Sequence, residues 1–150
     1  MKKLLFLIVS VFIVCSCGTT PKSTVAPNVK FSNYEFAAIG TKTTGSNVVL
    51  MDAHMKIQNA LTSLGYNVIV DTRINSLTRD ERTRLFTVEF SMTSTSEESI
   101  CLIYVTDYLT DNLLATCRGA FGLGWNVAGD QRGAIDSAIK QLTNTIENNR

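Results

Sequence analysis

The stretch IQNALTSLGYNVIVD, Ile57 to Asp71, decides the fold. Apolar residues at Leu50, Ala53, Ile57, Ala60, Leu61 and Leu64 step by threes and fours, which marks one face of an α-helix. Gly65 then supplies a left-handed stop, and Tyr66 is the apolar residue that folds back beyond it. NVIVD, Asn67 to Asp71, follows as a short buried strand. Upstream, KFSNYEFAAIG (Lys30 to Gly40) carries Phe31, Tyr34, Phe36 and Ile39 and reads as a strand closed by glycine. TKTTGSN, Thr41 to Asn47, is a loop offering Ser46 or Asn47 as the helix cap. Strand, helix and strand in this order fit a crossover unit with both strands in one sheet.

Downstream, the most charged segment, TRINSLTRDERTR (Thr72 to Arg84), places Thr78 and Glu81 at capping-box spacing, so one helical turn is expected. RLFTVEFSMT then alternates, with Phe86, Val88, Phe90 and Met92 on one face and Thr87, Glu89 and Ser91 on the other. STSEES, Ser94 to Ser99, makes a turn. ICLIYV, Ile100 to Val105, is apolar on both faces, as a central strand is. After a second turn in TDYLTDN, LLATCRGAFG returns with Leu113, Ala115, Cys117 and Phe121 on one face. These three strands form an antiparallel meander. The closing DQRGAIDSAIKQLTNTI sets Ala134, Ile135, Ala138, Ile139, Leu142 and Ile146 on one helical face, capped by Asp130 or Gly129. The expected architecture is α+β: a mixed, mainly antiparallel sheet with two helices on one face, in the order β-α-β-β-β-β-α.

The first residues address the compartment. Lys2 and Lys3 precede the apolar run Leu4 to Val14, and small Ser16 stands before Cys17. A basic start, a short apolar core and a small residue at the break make a secretory signal. The run of about 11 residues is short against the roughly 20 that a membrane-spanning helix needs. VCSC, Val14 to Cys17, resembles the signal of bacterial lipoproteins. That resemblance assigns Val14, Cys15 and Ser16 to signal-peptidase recognition and Cys17 to lipidation, with cleavage after Ser16 and acyl chains such as palmitate on the new terminus. Cys at position 15 departs mildly from the usual small or aliphatic residue. Gly18, where an aspartate would favour inner-membrane retention, leans by the same resemblance towards the outer membrane, on the periplasmic side. A metal clip from Cys15 and Cys17 would need further ligands, and no histidine or third cysteine stands in the first fifty residues.

GTTPKSTVAPN, Gly18 to Asn28, has few large apolar groups and reads as a flexible tether. The expected division is therefore signal 1–16, lipidated cysteine and tether 17–29, and one domain 30–150. The whole chain has 14 basic and 13 acidic residues. Loss of Lys2 and Lys3 with the signal makes that 12 against 13, so no basic footprint for nucleic acid or anionic lipid remains. The helix, glycine stop and strand of residues 57–71, with the closing AIDSAIKQL helix, resemble small envelope lipoproteins of unassigned function and, more faintly, the amino-terminal domain of TolB. That resemblance covers roughly residues 31–147 and implies a fold, with no catalytic residue to carry over.

Catalytic and metal constellations are missing from the sequence. His54 is the only histidine, which excludes two-histidine zinc motifs, and it falls off the buried helical face. No G-x-S-x-G nucleophile motif occurs. GAFGLGWNVAGD, Gly119 to Asp130, lacks both G-x-G-x-x-G and a G-K-[ST] ending, so it reads as a strand end running into a crossing. The acidic pairs Asp80/Glu81 and Glu97/Glu98 are adjacent in sequence and lack the spaced pattern of a calcium loop. Neither metal nor cofactor is expected. Cys101 and Cys117 are expected as two buried free thiols, because a turn centred on Thr110 to Asn112 puts Cys117 opposite Thr106, Val105 or Tyr104. Trp125 either covers the core or stands out as a binding anchor. With Arg79 and Arg82 it forms the candidate interaction surface. Two functions follow: a lipid-anchored, non-enzymatic module binding an envelope protein, or a small hydrolase or ligand carrier with a pocket between helices and sheet.

Overall fold

A computed structural model describes residues 22–40, 48–122 and 126–150. The chain runs β1 (Lys22–Val25), β2 (Phe36–Ile39), α1 (Val48–Ser63), β3 (Asn67–Val70), α2 (Arg79–Thr83), β4 (Leu85–Ser94), β5 (Ser99–Asp107), β6 (Leu113–Phe121) and α3 (Val127–Asn148). Turns of 3-10 helix cover Phe31–Asn33 and Asp71–Ser76. The six described strands share one sheet in the order β1-β6-β5-β4-β2-β3. β4, β5 and β6 are the antiparallel meander, with Val88 opposite Val105 and Val105 opposite Ala115. β2 lies parallel to both β4 and β3, which is the crossover that α1 makes. The class is α+β.

One core fills the space between this sheet and the two long helices. Ala53, Ile57 and Leu61 of α1 and Ala134, Ile135, Ala138, Leu142 and Ile146 of α3 meet Phe86, Val88, Ile103 and Val105 there. Gly65 takes φ +88°, and the backbone N–H of Tyr66 returns to the Leu61 carbonyl at 3.1 Å. Tyr66 itself is buried and donates its hydroxyl to the Phe31 carbonyl at 3.2 Å. The Phe86 ring meets those of Phe31, Tyr34 and Tyr66 edge-on. Thr78 and Glu81 form the capping box that their spacing predicts.

Five expectations need correcting. Residues 22–25, placed in the tether, are β1, and they pair antiparallel with β6 from Lys22 opposite Arg118 to Val25 opposite Ala115. The β-branched pair Thr24 and Val25 suits a strand, and β6 offers it an open edge. Of the strand expected over Lys30–Gly40 only Phe36–Ile39 pairs in the sheet, because Phe31 turns inward and its N–H donates to the Asn149 carbonyl at 2.7 Å. β3 is an edge strand with exposed ends, not a buried one. Leu113 faces away from Ala115 and Cys117, because a bulge at Leu114 reverses the alternation. α3 begins earlier than expected and is capped by Asn126, whose Oδ1 accepts from the Ala128 N–H at 2.9 Å. The expected caps Ser46 and Asn47 lie outside the described residues.

The connection from β3 to β4 covers part of the second sheet face. Ile74 and Leu77 pack there against Ala38 and Leu85, with Phe36, Ile69 and Tyr108 around them.

Candidate interaction surfaces

Beyond that small cover no described helix lies on the second face of the sheet. Ile100, Leu102 and Tyr104 alternate outward along β5 and are half-buried. Across them run the rows Thr93–Ile100–Ala120, Ser91–Leu102–Arg118 and Glu89–Tyr104–Thr116. Arg118 lies 3.5 Å from Glu98 at one end of this strip. The strip is apolar along its centre and polar at its flanks, as expected where one face of an antiparallel sheet meets water.

Of the residues singled out from the sequence, Arg79 is exposed on α2. Arg82 is half-buried and turned to local work: its Nε donates to the Leu77 carbonyl at 3.1 Å and its Nη2 to the Asn75 carbonyl at 3.2 Å. Arg84, not Arg82, joins elements, contacting Glu35 before β2 and Asp80 on α2. Trp125, Val14, Cys15, Ser16 and Cys17 lie outside the described residues.

Two hollows flank α1. A cavity of about 50 Å³ beside β3 is lined by Ile39, His54, Gln58, Val68, Ile69 and Val70. His54 is half-buried there, with no acid or nucleophile in the lining. A larger one, about 400 Å³, lies between the first turns of α1 and α3 and the end of β4. Val49, Leu50, Phe90 and Met92 line it, with Ser91, Ser94 and Gln131 as its polar groups. Among the described residues no group of three or more histidine, cysteine or acidic side chains could hold a metal. No described helix is long and apolar enough to cross a membrane.

Cys101 and Cys117 are free and buried on neighbouring strands. Cys117 stands opposite Ile103, one place beyond the expected range, because the turn closes earlier than expected, with Thr106 opposite Leu113. Burial pushes the Cys101 thiol up to about 12 and also raises that of Cys117, which lies 3.8 Å from the Thr145 hydroxyl. Both are small apolar fillers rather than nucleophiles.

Sequence reasoning missed the exposed apolar side chains at one end of the fold: Val48, Met51, Phe121 and Val127. Met51, with Met55, sits outside the buried stripe of α1, a signal legible in the spacing. Phe121 and Val127 depended on where β6 stops and α3 starts.

The sequence matches no family model and no curated protein. Solved structures do share its fold. A PelC dodecamer from Paraburkholderia phytofirmans superposes with TM-score 0.54 at 12% identity, over 83% of this chain and 94% of that one. A second crystal form of that dodecamer gives 0.51 at 14% identity, with the same coverage. A PDZ domain protein from Parabacteroides distasonis gives 0.58 at 12% identity, and this chain spans about a third of its length, 35%. The lipoprotein GNA1162 from Neisseria meningitidis reaches only 0.34 at 11% identity, over 73% of this chain and 98% of that one. At such identities the first three show a common fold and nothing finer.

Proposed function

We propose that this chain is a bacterial lipoprotein, acylated on Cys17 and held at the outer membrane facing the periplasm, whose domain works without catalysis by binding envelope proteins, copies of itself included. The observation that carries the reading is a fold found in a dodecamer, ending here in two terminal strands, β1 and β3, whose outer edges no described strand covers. Such edges are templates for further pairing. The signal-like run and VCSC support the anchor, and two or more acyl chains hold firmly where one holds only marginally. Crosslinking in the native host followed by mass spectrometry tests the binding role. Recovery of the chain alone at native abundance, with monomeric mass in detergent, would remove it. Labelling with a radioactive fatty acid, lost in a Cys17→Ser variant, tests the anchor.

The hollow of about 400 Å³ favours a second reading, a carrier of a small apolar ligand. It predicts saturable uptake of a hydrophobic dye that Leu50→Gln abolishes.

A further inference from the structure

β1 begins at Lys22, so residues 18–21 alone separate it from Cys17. Five steps of chain span at most about 18 Å. We propose that the domain stands end-on, with the end formed by the Ser94–Ser99 turn, the close of β6 and the first turns of α1 and α3 set against the bilayer that holds Cys17. This rests on the acylation proposed above.

Strand direction gives the first reason. Lys22 is opposite Arg118, three residues from the end of β6 at Phe121. That distance is about 10 Å, so the tether clears this end with about 8 Å to spare. Towards the other end, Leu113 is five residues away, about 17 Å, and the turn after Asp107 projects further. The tether is exhausted before that end can touch lipid.

Exposed apolar groups have the same polarity. At the end of the fold towards which the tether leaves are Val48 (73% exposed), Met51 (62%), Val127 (57%) and Phe121 (37%). They belong to one end: Phe121 lies over Gly133 of α3, Gln131 of α3 donates to the Ser94 hydroxyl, and the first turn of α1 faces Met92 and Ser94 across the larger hollow. The far end exposes Leu109 and Leu113 beside Asp107 and Asp111. Lying on the β1 edge would present Lys22, Ser23 and Thr24, which are polar and exposed. Among the described residues charges at the near end balance, with Lys22, Arg118 and Arg132 against Glu97, Glu98 and Asp130, and with Asp52 of α1 paired to Lys56. Contact is therefore by shallow apolar burial, within about 5–10 Å of the headgroups. Four side chains would not bind a membrane alone, but the tether confines them beside it and makes the second contact intramolecular. Upright strands then turn the β1 and β3 edges sideways, towards neighbours in the same membrane.

The test uses the full chain matured in its host and reconstituted into vesicles of phosphatidylethanolamine and phosphatidylglycerol in equal parts. A fluorophore is placed by Val127→Cys, Met51→Cys or Leu109→Cys, with Cys101 and Cys117 shielded by burial. Headgroup-bound quencher should dim the label at 127 and at 51 about twofold more than at 109. The N-terminal peptide from the same vesicles is weighed. Acylated Cys17 with that ratio supports the orientation. Acylated Cys17 with equal or reversed quenching overturns it and leaves the anchor standing. Energy transfer between labels at 127 on two copies, without lipid quenching, assigns the patch to a second copy and overturns it too. An unacylated terminus defeats the anchor reading, and the orientation falls with it.

Discussion

The two long helices cover the same sheet face by different means. α3 meets backbone with backbone: a Cβ on Gly119 of β6 would stand 2.1 Å from the Ala134 carbonyl oxygen and 2.2 Å from the Ala138 nitrogen. α1 stands off on Ala53, Ile57 and Leu61 and leaves the smaller hollow beside β3. A backbone seam has no rotamer to adjust, whereas a side-chain seam with space next to it can repack. One half of the layer is therefore rigid and the other adaptable, and the adaptable half carries the exposed methionines.

Gly119→Val tests that contrast most severely. The new side chain has no space and neither neighbouring backbone can yield without moving α3, so the expected loss is about 4 kcal/mol or more, enough to abolish the cooperative transition. Urea unfolding followed by circular dichroism reads it. Ile57→Ala, on the α1 seam, deletes buried atoms among side chains that can repack, and its expected cost is about 2–3 kcal/mol, the lower part of the range for such truncations. Equal costs for the two variants would break the distinction.

The same contrast explains what the sequence disclosed. The α1 stripe and the Gly65 stop were legible because they are local, and periodicity reports which face is buried. The meander was legible because Phe86 to Met92 alternate without interruption. Gly119 was not: read beside Gly122 and Gly124 it suggested the start of a crossing, and only the approach of α3, distant in sequence, explains a glycine inside a strand. β1 was hidden for a related reason. Lys22 to Val25 bury little, and their pairing is set by an edge nearly a hundred residues away. Leu114 shows the limit of alternation itself, since one extra residue reversed the side on which Leu113 lies. The candidate surface was the least legible part, because exposure at a strand end depends on where neighbouring elements stop. Arg82 had the composition of a contact residue and is occupied by two carbonyls of its own connection.

A bridge between the halves offers a test of intermediate size. Tyr34, just before β2, donates to Asp107 at the end of β5 at 2.9 Å, and Asp107 also accepts from the N–H groups of Leu109 and Thr110. Partial burial alone would raise the Asp107 carboxyl, but the bonds from Thr110, Tyr34 and Leu109 outweigh it and hold the group below the usual range. Burial first, and then the bond to Asp107, push the Tyr34 hydroxyl up, so it remains a donor at neutral pH and below. A carboxyl lowered in the folded state stabilises fully above its unfolded value, and that contribution fades as pH falls through the folded value. Asp107→Asn should therefore cost about 1–2 kcal/mol at pH 7, moderated by partial exposure, and the gap from the parent should close in acid. A gap constant from neutral to strongly acidic pH would show that the charge is not what joins the halves.

The smallest effect on stability is expected on the outer face of α1. Met55 is 61% exposed and lies one turn beyond Met51, further from the proposed membrane end, so in that orientation it is clear of lipid and open to a partner. A methionine there contributes little to the core, and Met55→Gln should leave unfolding within about 0.5 kcal/mol of the parent. Thioether side chains do suit surfaces that adapt to a partner. Crosslinking in the host separates the two roles, because a variant that unfolds like the parent yet loses crosslinked products severalfold has lost contact and not structure. Unchanged crosslinking would return Met55 to the ordinary scatter of exposed apolar residues. The adaptable half would then be loose packing alone, and the β1 and β3 edges would be left as the surfaces through which the domain meets other proteins.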